Sequence, residues 1–86
     1  MYRVVFTRKA QKDITKLKSA ELSKKAKQLV ELIKLNPYST PPSYEKLVGD
    51  LNGAYSRRIN IQYRLVYSID EEEKIIKIIR MWIHYE

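Results

Sequence analysis

The chain has 86 residues, with 17 lysines and arginines against ten acidic residues, a net charge of +7, one histidine and no cysteine. This length allows one domain with a core just large enough to fold alone. Without cysteine there is neither a disulfide framework nor a thiolate metal site, and zinc would need three carboxylates around the single histidine. We therefore expect no metal and no other cofactor.

The positive charge is concentrated at the start of the chain. Residues 1–36 carry ten basic and three acidic side chains, whereas residues 70–86 carry three basic and five acidic ones. Such a domain suits an anionic partner such as nucleic acid, an acidic protein segment or an anionic membrane surface, although lysines can also serve solubility alone. The longest apolar run is too short to span a bilayer and no signal peptide pattern opens the chain, so the expected location is the cytoplasm.

The first half of the chain predicts a strand followed by two helices. Residues 2–6 are β-branched and aromatic, as in a strand, and Thr7 is expected to cap the helix that follows. Apolar residues then recur at helical spacing, with Ser19 expected to cap a second, longer helix. Asn36-Pro37 ends this helix, because the residue before a proline is pushed out of the helical region. The pattern indicates a helical hairpin with lysines on its exposed side.

The second half predicts three strands. Residues 37–44 show no periodicity and are predicted as a loop, and turns are predicted at Val48-Gly49-Asp50 and at Asn52-Gly53. Two strands follow, at residues 54–59 and 63–69, then a charged turn at 70–73 and a buried isoleucine-rich strand at 74–84. The order is β-αα-βββ. It predicts a single α+β domain over residues 1–86, with the helical hairpin packed on one face of a mainly antiparallel sheet.

Two arginine–tyrosine clusters lie on the hairpin formed by the middle strands. Guanidinium forks bind phosphate oxygens and aromatic faces stack on unpaired bases, so this composition suits a sugar-phosphate chain. Side chains alternate along a strand, and we expect the face away from the helices to gather Arg64, His84 and one of Arg57 and Arg58. Which of the two arginines points there depends on a register that the sequence leaves open. The larger aromatic residues are expected to pack in the core or on the sheet, namely Tyr55, Tyr67 and Trp82.

Four blocks of the sequence together resemble the RelE/YoeB-type toxins of bacterial toxin–antitoxin systems, and the YoeB/Txe branch in particular. The blocks are Glu45 two residues before a leucine, Leu51-Asn52-Gly53-Ala54-Tyr55-Ser56-Arg57-Arg58-Ile59, Tyr63-Arg64-Leu65-Val66-Tyr67 and the terminal His84-Tyr85. The resemblance extends over nearly the whole chain. Two positions depart from the family pattern, with Val48 where a lysine is common and Tyr63 where a histidine is common.

The resemblance implies a small, metal-independent endoribonuclease that cuts messenger RNA on the ribosome and is silenced by a cognate antitoxin protein. It places the catalytic roles on Glu45, Arg64 and His84. It also implies supporting phosphate and substrate contacts from Arg58 and Tyr85, and Arg57 and Lys46 are further candidates for contact with RNA.

In this chemistry the RNA 2′-hydroxyl attacks the adjacent phosphorus, so the enzyme supplies a base, an acid and a cation for the developing charge. Glu45 is the expected base, His84 the expected acid and Arg64 the phosphate clamp. Each has a structural alternative: Glu45 could pair with Lys46 on the surface, His84 could be a frayed end, and Arg64 could pair with a carboxylate of the 70–73 turn. At the level of the whole protein, the alternatives are a ParE-like inhibitor of DNA gyrase and a noncatalytic basic RNA-binding module.

Overall fold

Two helices pack against one face of a five-stranded sheet. The computed structural model of the protein describes residues 1–49 and 53–84. The elements in chain order are β1 (Arg3–Phe6), α1 (Arg8–Ser19), α2 (Ser23–Leu35), β2 (Tyr44–Lys46), β3 (Ala54–Arg58), β4 (Tyr63–Asp70) and β5 (Ile75–His84). The strand order is β1-β5-β4-β3-β2, with β1 parallel to β5 and the other pairs antiparallel. The α+β class and the packed helical hairpin are confirmed.

The start of α1 and the end of α2 lie where the sequence predicts them, whereas the start of α2 does not. The hydroxyl of Thr7 accepts a hydrogen bond from the Ala10 amide at 3.1 Å, which confirms it as the cap of α1. α2 ends at Leu35, directly before Asn36-Pro37, as predicted. Ser19 was expected to cap α2, and this is wrong because it lies in the last turn of α1. Three residues then reverse the chain, with Glu21 in the left-handed region at φ 60°.

The core lies between the helical hairpin and the inner face of the sheet. The helices contribute small and branched residues, and the sheet contributes one fully buried tyrosine among aliphatic side chains: Ala10, Leu17, Ala26, Leu29, Val30, Ile33, Ile59, Leu65, Tyr67, Ile76, Ile78 and Met81. Tyr55 and Trp82 pack against this cluster, which confirms their packing role. In the part of the chain that the structure describes, neither helix is long and apolar enough to cross a membrane.

A short edge strand was missed by the sequence interpretation. Residues 44–46 form β2, which pairs antiparallel with β3 and places Glu45 opposite Ser56. Only three residues take part, so neither alternation nor β-branched composition marks them as a strand. Pairing with the edge of β3 determines their conformation, and this long-range contact is not visible in the local sequence.

β5 does not alternate regularly along its length. Its ladder with β4 shifts twice, between Tyr67↔Ile78 and Val66↔Arg80 and again between Val66↔Arg80 and Arg64↔Ile83. Extra residues of this kind bend a strand and change which side chains face the core. Ile78 and Met81 are both buried in the core although they are three residues apart. A strict period of two therefore fails between the two shifts, whereas the shifts cancel for His84, which pairs with Tyr63 on the face of Ile78.

A buried carboxylate ties α1 to β5. Asp13 is 1 % exposed and accepts hydrogen bonds from Arg80 Nε at 2.8 Å, from Arg80 Nη2 at 3.3 Å and from the Met81 amide at 2.9 Å. Burial raises the pKa of Asp13, whereas the bonds from Arg80 and Met81 and the charges of Arg80 and Lys16 lower it, and the net pKa lies below its usual value. The carboxylate thus holds the irregular part of β5 against the helix.

A second carboxylate joins the β4–β5 turn to the rest of the domain. Glu71 accepts hydrogen bonds from the hydroxyls of Tyr2 at 2.6 Å and Tyr38 at 2.7 Å and from the ammonium group of Lys74 at 3.2 Å. These bonds lower the pKa of Glu71 to about 2, and the bond from Tyr2 has the largest effect. The same bonds raise the pKa of both tyrosine hydroxyls.

We expect the contribution of Glu71 to the free energy of unfolding to be lost at acidic pH. Its pKa is about 2 in the folded protein and 4.5 in its unperturbed state, so the folded state is favoured above pH 4.5 and this contribution is lost as the pH falls through 2. Urea unfolding at pH values from 6 to 2 measures it. The difference in unfolding free energy between wild type and Glu71→Gln should shrink towards pH 2. The neighbouring variant Glu72→Gln is the control, and an equal pH dependence in both variants would contradict the assignment.

Candidate functional site

Glu45 and Arg64 form an ion pair on the sheet face away from the helices, called here the outer face. Nη2 of Arg64 lies 3.0 Å from Oε1 of Glu45. The Arg64 side chain is 8 % exposed, whereas the Glu45 side chain is 62 % exposed. The Glu45 carboxylate therefore pairs with Arg64 while remaining open to solvent, and the Arg64 side chain is mostly buried beneath it. The sequence placed both residues in the site but did not predict that they would contact each other.

Ser56 holds the other end of the Arg64 guanidinium. Its buried hydroxyl accepts a hydrogen bond from Arg64 Nη1 at 2.6 Å. Ser56 lies opposite Glu45 in the β2–β3 ladder and opposite Val66 in the β3–β4 ladder, so it sits between the two members of the ion pair. The serine was part of the sequence block that carried the family resemblance, but no role was assigned to it. Period two along β3 was the available signal, since Ser56 and Arg58 share a face.

Arg58 completes the cationic part of the site. It lies opposite Arg64 in the β3–β4 ladder and is exposed. A cavity of about 200 Å³ is lined by both arginines, by Glu45 and by Pro42 and Ser43 of the loop before β2. Two guanidinium groups and one carboxylate thus face one small space, which is the composition expected of a phosphate-binding site with a proton acceptor.

Arg57 lies on the inner face and is fully buried, so its expected contact with RNA is wrong for this structure. Its guanidinium group donates to the hydroxyl of Tyr67 at 2.9 Å and to the carbonyls of Pro37 at 2.8 Å, Ser39 at 2.7 Å and Pro42. These carbonyls belong to the loop that leads into β2. Arg57 therefore fixes the loop that delivers Glu45 to the site, and the neighbouring arginine is the one that faces the cavity.

Replacing Arg57 by lysine should destabilise the protein by about 2 kcal/mol, because an ammonium group cannot reproduce the planar fork that serves three carbonyls, and a lost charged hydrogen bond costs roughly this amount. The same change at an exposed arginine of β1, Arg3→Lys, should cost less than about 0.5 kcal/mol. Urea unfolding of both variants measures the difference. Equal stabilities would contradict the role given to Arg57.

His84 is placed away from the ion pair. It lies opposite Tyr63 at the end of the β4–β5 ladder, and the two rings contact edge to face with centroids 5.6 Å apart. Directly opposed residues share a face and successive residues alternate, so His84 and Tyr63 project to the side opposite Arg64. Trp82 stacks on Tyr63 at 3.9 Å on that same side. The structure therefore joins Glu45, Ser56, Arg58 and Arg64 but does not bring His84 to them.

Two further residues with expected RNA contacts have different positions. Lys46 is exposed and lies opposite Tyr55, so it projects to the face away from Glu45. Tyr85 lies outside the described residues. Across residues 1–49 and 53–84, histidine and carboxylate side chains form no group of three that could hold a metal ion.

Comparison with known proteins places this chain in one family. A family model described as the YoeB-like toxin of bacterial type II toxin–antitoxin systems matches residues 6–85. A toxin YoeB from Synechocystis sp. is 35 % identical over 66 residues, which is 77 % of this chain and 74 % of the relative.

Solved structures agree with this assignment. A YoeB/ParE toxin from Agrobacterium tumefaciens superposes with a TM-score of 0.85 at 27 % identity, over 96 % of this chain and 99 % of the other. The toxin of the heterotetrameric YoeB–YefM toxin–antitoxin complex from Staphylococcus aureus superposes with a TM-score of 0.80 at 33 % identity, over 99 % of both chains. The family match spans the strands and the loop that build the outer-face site. The chain belongs to the YoeB-like toxins of bacterial type II toxin–antitoxin systems.

Proposed function

We propose that the protein is a ribosome-dependent, metal-independent endoribonuclease that cleaves messenger RNA and thereby inhibits translation. The main support for the proposal is the fixed position of the Arg64 guanidinium group beside Arg58. This group donates hydrogen bonds to the Ser56 hydroxyl at 2.6 Å and to the Glu45 carboxylate at 3.0 Å. A guanidinium group fixed on two sides needs little reorganisation when charge develops on a phosphate, and this preorganisation is a main source of electrostatic catalysis.

In the proposed reaction, Glu45 takes the proton of the RNA 2′-hydroxyl. The 2′-oxygen then attacks the adjacent phosphorus while the bond from phosphorus to the 5′-oxygen breaks. Arg64 stabilises the negative charge on the nonbridging oxygens, and Arg58 supplies a second cation at the same phosphate. The leaving 5′-oxygen takes up a proton, so the products end in a 2′,3′-cyclic phosphate and a 5′-hydroxyl. DNA has no 2′-hydroxyl and should not be cut.

His84 is the proposed donor of the proton to the 5′-oxygen, because a protonated imidazole can act as a general acid. Its ring lies against Tyr63, on the face opposite Arg64. The acid role therefore requires the end of β5 to turn so that the ring leaves Tyr63 and reaches the phosphate on the outer face. Tyr85 is proposed to support the same phosphate or base.

The proposed partners are the ribosome, its messenger RNA and a cognate antitoxin protein. The Staphylococcus aureus relative is seen in complex with the antitoxin YefM. A net charge of +7 favours an acidic antitoxin segment that folds over the basic surface of this chain.

The ends of the products test this reaction directly. Messenger RNA on programmed ribosomes is incubated with the protein in EDTA, and the new 3′ ends are examined before and after treatment with a phosphatase that opens cyclic phosphates. We expect cleavage in EDTA, with 2′,3′-cyclic phosphate ends and no cleavage of a substrate carrying 2′-deoxyribose at the cut site. Products with 3′-hydroxyl ends, or cleavage of the deoxy substrate, would contradict attack by the 2′-oxygen.

A further inference from the structure

A groove runs beside the candidate site along one face of α2. Its volume is about 310 Å³, and its lining is mainly apolar. α2 contributes Lys25, Gln28, Leu29 and Leu32, which stand at helical spacings of three and four and therefore share one face. Ile59, Arg58 and Pro42 form the other wall. The groove is thus an apolar slot with polar groups along its rim.

The groove adjoins the cavity of the ion pair. Pro42 and Arg58 line both spaces. A chain whose phosphate lies between Arg58 and Arg64 therefore has the groove as the adjoining space, on the side of α2. Three other depressions of the described chain share no lining residue with that cavity.

The rim has the composition expected for a nucleotide. Lys25 and Arg58 are cationic, Gln28 carries an amide, and no carboxylate is found among the groove-lining residues that the structure describes. Within residues 1–49 and 53–84, the side chains of Lys25 and Gln28 make no hydrogen bond or ion pair. Aliphatic side chains can pack against the face of a base, and the glutamine amide can pair with the edge of an adenine through two hydrogen bonds.

We propose that this groove binds the base of a nucleotide adjacent to the scissile phosphate and that Gln28 reads the edge of that base. This inference rests on the proposed function for the position of the phosphate. It adds a base subsite on α2 and a residue that determines sequence preference. The base lies between Leu29, Leu32 and Ile59, Gln28 pairs with its edge, and Lys25 lies beside the backbone.

The test is a thermodynamic cycle between the glutamine and the base. Dissociation constants are measured for single-stranded RNA oligonucleotides that carry 2′-deoxyribose at the scissile position, with each base near that position replaced in turn by an abasic site. Wild type and Gln28→Ala are compared, and Gln11→Ala on α1 is the matched control. Circular dichroism checks that each variant folds, as expected for exposed positions.

We expect one abasic site to weaken binding by wild type and by Gln11→Ala about tenfold, which is within the range for a lost bidentate base contact. The same abasic site should weaken binding by Gln28→Ala distinctly less, since only the packing of the base against Leu29, Leu32 and Ile59 then remains to be lost. Absence of coupling at every position, or no measurable RNA binding by wild type, would overturn the subsite. A loss of antitoxin binding in Gln28→Ala with no change in RNA binding would instead identify the groove as a protein interface.

The cycle separates this inference from the proposed reaction. Coupling without any cleavage on ribosomes would leave the base subsite standing and remove the ribonuclease proposal. Cleavage without coupling would remove the subsite alone. Deep sequencing of the cut sites gives a second readout. Gln28→Ala should lose the base preference at one position next to the cut, whereas Gln11→Ala should keep the wild-type preference.

Discussion

Arg64→Lys should lower the rate of RNA cleavage by roughly a hundredfold or more, which is the usual cost of removing one preorganised donor from a developing oxyanion. The arginine fork meets Ser56 with one nitrogen and Glu45 with another. An ammonium group keeps the charge but cannot hold both partners in a plane and face a phosphate as well. Single-turnover cleavage on programmed ribosomes measures the chemical step without product release.

The control is Arg3→Lys, the same change at an exposed position of β1. It should leave cleavage unchanged. Urea unfolding of Arg64→Lys shows whether the lost rate reflects lost structure, because Arg64 is largely buried. A folded Arg64→Lys variant that cleaves at the wild-type rate would contradict the role of Arg64 as the phosphate clamp.

Asp13→Ala should be strongly destabilising, by about 3 kcal/mol. Removing one partner of a buried ion pair leaves the other without compensation, and here the Met81 amide loses its acceptor as well. For a domain of this length, a loss of this size lowers the melting temperature by about 12 °C or more. Thermal and urea unfolding of the purified protein measure both quantities.

Asp13→Asn provides the graded control for this prediction. The amide keeps an acceptor for the Met81 amide but loses the charge that faces Arg80, so it should cost less than Asp13→Ala. Arg80→Met in the Asp13→Ala background should recover stability, since an apolar side chain replaces an uncompensated cation. Equal stability of wild type and Asp13→Ala would show that the carboxylate does not hold α1 to β5.

The parts of the fold that the sequence predicts are those determined by local patterns. Helical spacing and the Asn36-Pro37 stop located α2, and runs rich in β-branched and aromatic residues located β1, β4 and β5. β2 was missed because three residues carry too little pattern and pair through the edge of β3. The cap of α2 was misplaced because Ser19 fits a cap by residue type alone, whereas the reversal after α1 is made by the following residues.

The sequence predicts which residues belong to the candidate site better than it predicts how they are arranged. The family blocks selected Glu45, Arg58 and Arg64, and the structure places these three residues around one cavity. The choice between Arg57 and Arg58 needed the register of β3, which buries one arginine beneath the loop and exposes the other. His84 pairs with Tyr63 and lies on the face of Ile78, because the two register shifts in the β4–β5 ladder cancel, so alternation along β5 from the buried Ile78 already pointed His84 away from Arg64.

The decisive experiment for the proposed reaction is cleavage of messenger RNA on programmed ribosomes by wild type, Glu45→Gln and His84→Gln, with EDTA present. We expect cleavage by wild type and a loss of roughly a hundredfold or more in each variant, as for a general base and a general acid. If only Glu45→Gln loses cleavage, the result would support the Glu45–Arg64 site and contradict the acid role of His84. No cleavage by wild type, or equal cleavage by all three proteins, would contradict the proposed ribonuclease and favour an inhibitor or a noncatalytic RNA-binding module.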